Sequence, residues 1–236
     1  MKRITIMMFW MFIVVSAFAV NNCLDFDGDN DQVTTNYTTQ LNSWSIECWV
    51  KGDSAPTNGF STVVYRAENF QINWNHNDAE FQGTIALHDG EDGAVTGWTK
   101  ASFGTLQANV WYHLVGTYDG NDLKAYKNGV LITNEGWPDG FATSTAQQMT
   151  LGSSFDGQID EVRIWNDVRT ETEIRQNMYQ ELNGNEANLV SYYQFNETSG
   201  LSLNDGTSNN YDGTLTDMNG DEWQTSSAIF GPKNCL

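Results

Sequence analysis

Hydrophobic and polar residues alternate with a period of two along most of this chain, and the helical period of about 3.6 residues is nearly absent. The segments at 45–52 and 110–118 show the alternation clearly. Such alternation turns one set of side chains towards a core and the other set towards the opposite face, as in a β-strand. The predicted strands are Trp44–Lys51, Ser61–Arg66, Phe70–Asn75, Glu80–His88, Val110–Tyr118, Leu123–Lys127, Val130–Thr133, Met149–Gly152, Gln158–Trp165 and Leu189–Phe195.

Turn-forming pairs stand between these strands at short intervals. Asp-Gly pairs occur at 89–90, 92–93, 119–120 and 139–140. The pair Asn128-Gly129 is the strongest of the turn signals, since both residues tolerate the positive φ angles of a type I′ hairpin turn. Many short strands with turns every ~8–12 residues predict an all-β protein in which two antiparallel sheets form a sandwich or jelly roll.

One short helix is predicted in the second half of the chain. Thr170 and Glu173 have the spacing of a capping box, in which each residue bonds to the backbone of the other. Ile174, Met178 and Leu182 follow at helical spacing and would form the apolar stripe that packs against the rest of the protein.

The first nineteen residues have the pattern of a secretory signal peptide. The basic pair Lys2-Arg3 precedes an apolar run over 4–15 and an Ala-Phe-Ala cleavage site. The run is shorter than the roughly 18 apolar residues of a membrane-spanning helix, and no other stretch reaches that length. We therefore predict a signal peptide at 1–19 and one domain over 20–236, secreted or at the cell surface and not inserted in a membrane.

The chain is strongly acidic, with 11 basic against 30 acidic residues and a formal net charge of -19. A surface of this charge repels the phosphates of nucleic acids and anionic lipids, so neither is an expected partner. The acidity fits an exported, calcium-rich setting, and it fits a role in solubility alone equally well. An aromatic content of 13% is too high for a disordered acidic chain, so a folded protein is expected.

Three cysteines, Cys23, Cys48 and Cys235, are expected to enter an oxidising compartment. Cys48 lies in an alternating strand and is expected to be a small, buried hydrophobic residue. Cys23 and Cys235 stand at the two ends of the domain, and a disulfide bond between them is a hypothesis that requires those ends to be neighbours. The tripeptide Asn-Cys-Leu occurs at 22–24 and 234–236, either by chance or because the chain ends in a truncated second repeat.

Several segments carry a family resemblance. They are Leu24-Asp25-Phe26-Asp27-Gly28 with Asp31-Gln32-Val33, Ser45–Val50, Trp111–Gly120 with Leu123–Gly129, Phe155–Asn166 with Arg169-Thr170 and Glu173-Ile174, and Leu189–Gly200. In combination these segments resemble the laminin-G-like domains of the concanavalin A-like lectin/glucanase superfamily, in their bacterial secreted form. The resemblance covers nearly the whole chain after the signal peptide. It implies a jelly roll of two antiparallel sheets with one short helix.

The sequence does not support catalysis. Glucanases that share this fold place two glutamates around an aspartate on one strand, because retaining hydrolysis needs two carboxylates about 5.5 Å apart. The nearest match is 158–161, where Gln158 replaces the first carboxylate. Asp160 and Glu161 are adjacent and are therefore expected to face opposite sides of a strand. No histidine has a metal-protease spacing, and His113 is expected to be a structural hydrogen-bonding residue.

Four aspartates, Asp25, Asp27, Asp29 and Asp31, alternate in the first predicted strand and its turn. A self-contained EF-hand loop is excluded, because neither register of this segment has the required glycine and glutamate. The resemblance implies instead a structural calcium ion held between the opening segment and the Asp-x-Val-Arg strand, with Asp27, Asp29 and Asp160 as ligands. The alternative is an acidic turn held by its own hydrogen bonds.

A glycan platform is the remaining candidate site. Amide side chains on one face of the strand at 70–75 could bond to sugar hydroxyls, with neighbouring polar residues beside them. Two tryptophans in turn-rich surroundings are candidates for exposed rings that stack on sugar faces. The predicted ligand-binding residues are Arg66, Asn73, His88, Trp98 and Trp137.

We therefore predict a secreted, non-catalytic module that binds carbohydrate or mediates adhesion at a cell surface, with calcium as a structural cofactor. The alternative is a protein–protein interaction unit or a structural repeat of a larger surface protein. The expected partner is accordingly a glycan or a cell-surface protein.

Overall fold

The chain folds into two antiparallel β-sheets and one short helix. The computed structural model describes residues 21–54, 61–67, 69–77, 80–91, 94–136 and 147–228, with side chains described except at 75–77, 80–83, 87–91 and 94–98. The strands are β1 (Asn22–Asp27), β2 (Gln32–Thr35), β3 (Trp44–Gly52), β4 (Ser61–Arg66), β5 (Phe70–Asn77), β6 (Glu80–Glu91), β7 (Ala94–Thr105), β8 (Tyr112–Tyr118), β9 (Asp122–Lys127), β10 (Val130–Gly136), β11 (Met149–Leu151), β12 (Asp156–Trp165), β13 (Leu189–Tyr193), β14 (Ser202–Leu203), β15 (Gly213–Thr216) and β16 (Trp223–Thr225), and the helix is α1 (Glu171–Asn177).

Over the described residues, each of the two sheets has eight strands. The first sheet has the order β10-β9-β8-β3-β12-β1-β16, and β13 pairs with β12 beside β1. The second sheet has the order β14-β15-β2-β11-β4-β5-β6-β7. Neighbouring strands run antiparallel throughout, which confirms the two-sheet architecture predicted from the alternation.

The core lies between the sheets and is rich in aromatic rings. The ring of Trp44 lies 5.5 Å from that of Phe70, and the ring of Trp74 lies 6.0 Å from that of Phe155. Burying each such side chain stabilises the fold by roughly 1.5–3 kcal/mol. Gly116 on β8 lets the sheets approach closely, because a Cβ atom added there would lie 2.2 Å from the side chain of Ile85 on β6.

The helix begins where the capping box predicts. The Thr170 side chain accepts a hydrogen bond from the Glu173 backbone, and the Glu173 carboxylate accepts one from the Thr170 backbone. The three stripe residues Ile174, Met178 and Leu182 are buried as expected. The helix itself ends at Asn177, so the last two of them lie beyond it.

Two turn predictions have different outcomes. The hairpin between β9 and β10 has positive φ angles at Asn128 and Gly129, as a type I′ turn requires. The segment around Trp98 was expected to be a turn-rich loop, and this expectation is wrong. It forms β7, which pairs with β6 along its length. Long edge strands of mixed composition give a weak periodic signal, and Asp-Gly pairs nearby favour a loop interpretation.

Both cysteines in the described residues have free thiols. Cys48 is fully buried in the core, as predicted. Cys23 is also fully buried, and burial, together with the charge of Asp160, raises the pKa of its thiol to about 12. Cys235 and the predicted signal peptide at 1–19 lie outside the described residues, so the disulfide bond stays a prediction. Among the residues described, no helix is long and apolar enough to cross a bilayer.

Candidate functional site

A polar surface covers the outer face of the second sheet. Ile72, Ile85 and their neighbours fill the core, so the alternate residues on the same strands point outwards. The strand register places these outward residues in two rows that cross β4 to β7. We call this surface the polar face and define it by Thr62, Asn73, Thr84 and Ser102 in one row and Tyr65, Gln71, Ala86 and Lys100 in the other.

Two hydrogen-bonding groups at the centre of the polar face have no partner among the described residues. Asn73 and Thr84 lie directly opposite each other on β5 and β6, and their side chains are 0% and 4% exposed. The Asn73 Oδ1 atom accepts a hydrogen bond from the Thr62 hydroxyl at 3.4 Å. In the part of the chain that the structure describes, the Asn73 Nδ2 and Thr84 Oγ1 atoms have no partner. Unpaired buried polar atoms are costly, so these two atoms are suited to bind a water molecule or a ligand.

The rim of the polar face is more accessible than its centre. Lys100 is exposed, and Tyr65 and Ser102 are half-buried. Further along β6 and β7, the backbone register pairs His88 with Trp98. The structure therefore brings three of the predicted ligand-binding positions, Asn73, His88 and Trp98, to neighbouring strands of one sheet. Trp137 lies outside the described residues.

Arg66 does not belong to the polar face. The register places it opposite Phe70 on β5 and Met149 on β11, which are both core residues. Its side chain is 1% exposed, and the guanidinium donates hydrogen bonds to the carbonyls of Thr38 at 2.7 Å and Ala67 at 2.5 Å. The sequence predicts a ligand contact for Arg66, but its inward direction gives it a structural role.

The aspartates at the end of β1 and just after it form a hydrogen-bonded turn. The Asp29 backbone donates to the Asp27 carboxylate at 2.9 Å, and the Asp27 backbone donates to the Asp31 carboxylate at 3.2 Å. This is the geometry of the acidic-turn alternative. Next to the turn lies a cleft of about 210 Å³. The cleft is lined by Asp27, Gly28, Ser54, Ser61, Trp74, Ser154 and Asp156.

Asp160 lies far from the other two predicted calcium ligands. The register of β1 and β12 pairs Asp27 with Asp156, four residues from Asp160, which corresponds to about 13 Å at roughly 3.3 Å per residue. Asp160 instead accepts a hydrogen bond from the Asn21 side chain at 3.3 Å. Within the described ranges, no group of three His, Cys, Asp or Glu side chains is arranged to hold a metal ion. The structure therefore does not bring Asp27, Asp29 and Asp160 together.

Asp160 and Glu161 both face away from the core, contrary to the expectation that they lie on opposite sides of a strand. The pairing of β12 with β3 shifts register between Asp160 and Arg163, and Glu161 has a positive φ of 52°. This β-bulge inserts one extra residue and so turns two consecutive side chains to the same side. Both carboxyl groups are buried, and burial raises the pKa of each, that of Asp160 well above its ordinary value.

A buried polar network occupies this outer side of the first sheet. The Arg163 guanidinium lies 2.5 Å from the Glu161 carboxylate and 3.8 Å from that of Glu47. His113 lies 3.1 Å from Glu47, and the Tyr192 hydroxyl donates to Glu161 at 2.7 Å. Burial alone would raise the pKa of Glu47, but Arg163 and His113 lower it to about 2. The network holds α1 and the segment after it against the sheet.

Sequence reasoning missed part of the polar face. Tyr65, Lys100 and Ser102 were not singled out, because their place beside Asn73 depends on pairings between β4, β5, β6 and β7. The alternation within each strand was the only available signal. It identifies which residues share a face of one strand but not which strands are neighbours.

Several solved structures share this fold. An inferred carbohydrate-binding protein from Bacteroides ovatus is 19% identical, with a TM-score of 0.70, and the match covers 91% of this chain and 62% of that one. Domain 4 of the extracellular arabinanase AbnA from Geobacillus stearothermophilus, solved with arabinotriose, is 20% identical, with a TM-score of 0.52 and coverage of 65% and 75%. A heptameric pentraxin from Limulus polyphemus is 11% identical, with a TM-score of 0.51 and coverage of 68% and 82%.

These similarities are limited to the fold, and the chain spans about 62% of the length of the Bacteroides ovatus protein. None of the curated proteins compared with the chain matches it. A family profile does match, over residues 27–175, which is more than half of the chain. That profile is Laminin_G_3, and it agrees with the two-sheet sandwich and with the motifs on β3, β8 and β12. The chain therefore belongs to the Laminin_G_3 family of the concanavalin A-like lectin/glucanases superfamily.

Proposed function

We propose that the protein is a non-catalytic module that binds a glycan through the polar face. The observation that carries the proposal is the pair of buried, unpartnered atoms Asn73 Nδ2 and Thr84 Oγ1 at the centre of that face. A sugar hydroxyl can donate one hydrogen bond and accept another, so it can pair with an amide N–H and with a threonine hydroxyl.

The surroundings of these atoms fit the same ligand class. Gln71, Ser102 and Lys100 add further polar groups around them. His88 and Trp98 are paired in the same sheet and are proposed to contribute at one end of the site. The net charge of -19 disfavours acidic polysaccharides, so a neutral glycan is the expected ligand.

A non-catalytic role is part of the proposal. Asp160 and Glu161 are the nearest approach to a catalytic carboxylate pair, and both are almost fully buried. The Glu161 carboxylate accepts hydrogen bonds from the Arg163 guanidinium and the Tyr192 hydroxyl. A catalytic carboxylate must reach the glycosidic bond, whereas these two groups are covered on the outer side of the first sheet.

The proposal is supported in outline by two structures of the same fold, one inferred to bind carbohydrate and one solved with arabinotriose. Adhesion at a cell surface would follow from glycan binding if the protein is exported. Calcium dependence stays a prediction, and the separation of Asp27 from Asp160 argues against the three-aspartate site.

A glycan array tests the proposal. The wild-type protein is expected to bind one or more neutral glycans, and the Asn73→Ala variant is expected to lose that signal. Asn36→Ala is the matched control, because Asn36 is exposed in the turn after β2 and away from the polar face. Running each array with calcium and with EDTA distinguishes glycan binding that depends on calcium from glycan binding by the polar face alone. Unchanged binding by Asn73→Ala, or no glycan bound under either condition, would contradict the proposal.

A further inference from the structure

A second cleft lies in the C-terminal part of the chain, outside the segment that matches the family profile. It is formed by the residues that follow β13 and by the turn that follows β14, and its volume is about 250 Å³. This volume is smaller than the ~300–1,000 Å³ of pockets that bind drug-sized ligands, so the cleft is suited to a ligand smaller than a drug molecule. The lining residues are Gln194, Asn196, Glu197, Asn204 and Gly206.

The side chains of this cleft retain free hydrogen-bonding groups. Among the described residues, the Gln194 side chain has no hydrogen-bond partner in the protein. Asn196 accepts one bond through Oδ1, from the Asn22 backbone at 3.1 Å, and its Nδ2 group is left to donate. Glu197 accepts two bonds from Asn204 at Oε1, at 2.9 Å and 2.7 Å, while its Oε2 atom is buried and has no partner among these residues. The cleft therefore offers both donors and acceptors.

The backbone around the cleft is held in place by bonds that a ligand would not need to break. The Asn22 side chain on β1 donates to the Glu197 carbonyl at 2.9 Å, and the Gly206 backbone donates to the Tyr192 carbonyl at 2.7 Å. The neighbouring Asp205 carboxylate accepts bonds from the backbones of Tyr192 and Thr207. Such preorganisation reduces the entropy lost when a ligand binds.

The charge of the cleft limits the ligand class. Glu197 is an acid, and none of the described residues that line the cleft is basic. An anionic ligand would meet the unpaired carboxylate oxygen and would be repelled. A neutral hydroxyl can donate to Glu197 and accept from Gln194 or Asn196, so the donor and acceptor set suits a polyhydroxylated unit.

We propose that this cleft is a second sugar subsite that takes one neutral monosaccharide unit. Hydroxyls of the sugar donate to Glu197 Oε2 and accept from the amides of Gln194 and Asn196. This subsite is separate from the polar face and does not depend on glycan binding there. Two subsites on one module would raise its apparent affinity for a glycan that reaches both, because the second contact forms intramolecularly.

The test is a titration of ¹⁵N-labelled protein with single monosaccharides, followed by ¹H–¹⁵N correlation spectra. The probes are glucose, galactose, mannose and N-acetylglucosamine, with glucuronate as the anionic comparison. We expect saturable shifts of the Asn196, Asn204 and Gly206 amides and of the Gln194 side-chain amide with at least one neutral sugar, and weaker shifts with glucuronate. Resonances that do not respond to any neutral sugar, or that respond equally to glucuronate, would overturn the proposal.

Substitutions in the cleft test whether the chemical-shift changes arise from binding there. Gln194→Ala and Glu197→Gln are each expected to raise Kd about tenfold, the effect of losing roughly one hydrogen bond. The matched control is Gln176→Ala, since Gln176 is exposed on α1 and its substitution is expected to leave Kd unchanged. A response that survives both cleft variants would contradict the subsite. Thr84→Val, which alters the polar face, is expected to leave these shifts intact, so failure of one site is distinguishable from failure of the other.

Discussion

Replacing Arg163 with methionine is expected to destabilise the fold strongly. Arg163 is 1% exposed, and its guanidinium lies 2.5 Å from Glu161 and 3.8 Å from Glu47. It also donates to the carbonyls of Asn177 at 3.1 Å and Gln180 at 2.5 Å, which lie at the end of α1 and just after it. Without the guanidinium, the buried carboxylates of Glu47 and Glu161 lose their ion-pair partner, and the two carbonyls lose a hydrogen bond.

The expected loss is about 3–5 kcal/mol, as for other buried ion pairs that lose one partner. This is a large part of the ~5–15 kcal/mol stability of a typical domain. The loss should also depend on pH. In the wild type the lowered pKa of Glu47 contributes stability that is present above its unfolded pKa of about 4.3 and is lost as pH falls towards 2. In the variant the buried carboxyl groups of Glu47 and Glu161 no longer have the guanidinium beside them, so they protonate more readily in mild acid and the penalty shrinks below about pH 5.

Urea unfolding at several pH values measures this prediction, with the free energy taken by linear extrapolation. Arg175→Met is the matched control, because Arg175 is 54% exposed on α1 and its ion pair with Glu171 contributes at most about 1 kcal/mol. Arg163→Lys keeps the charge but loses the planar fork, so an intermediate loss is expected. A loss below about 1 kcal/mol for Arg163→Met, or one that does not change with pH, would refute the network as a structural element.

Three further predictions concern single positions. Thr170→Ala removes the capping box and is expected to lower the free energy of unfolding by about 1 kcal/mol, measured by urea unfolding. Gly116→Ala forces a Cβ against Ile85 and is expected to cost about 1–3 kcal/mol by the same measurement. Asp160→Asn removes a buried carboxylate whose pKa is raised, so the thermal midpoint should rise at neutral pH and the gain should vanish below the unfolded pKa of about 4. If the thermal midpoint differs between calcium and EDTA, Asp160→Asn should leave that difference unchanged. Loss of the difference in the variant would indicate that Asp160 is a calcium ligand.

Local signals in the sequence predicted much of the fold. The strand predicted at 44–51, the hairpin at Asn128-Gly129 and the capping box at Thr170 depend on residues that are neighbours in the chain, and the structure has all of them, with the strand extended to Gly52. The strand β7 was missed, because two Asp-Gly pairs next to it favoured a loop. An edge strand has weak selection for a buried side, so its alternation is less regular.

The predictions for Glu161, Asp160 and Arg66 differ from the structure for one reason, the register in which the β-strands pair. The bulge at Glu161 reverses the side of the sheet on which the following residues lie, and no residue type in the sequence requires it. The pairing of β1 with β12 decides that Asp27 lies opposite Asp156 and not near Asp160. Arg66 points inwards for a related reason, since a register shift between Thr62 and Val64 changes the alternation of β4. Pairing between distant strands is set by the whole core and not by local sequence.

The most direct test of the polar face is isothermal titration calorimetry of Thr84→Val with the best glycan from the array. The substitution keeps the shape of the side chain and replaces an unpartnered buried hydroxyl with a methyl group, so the free energy of unfolding should stay the same or rise. If the face binds the glycan, Kd should increase about tenfold or more while stability is retained. Thr214→Val, at an exposed threonine on β15 of the same sheet, should change neither quantity. A glycan affinity that is equal for Thr84→Val and the wild type would contradict the proposed site.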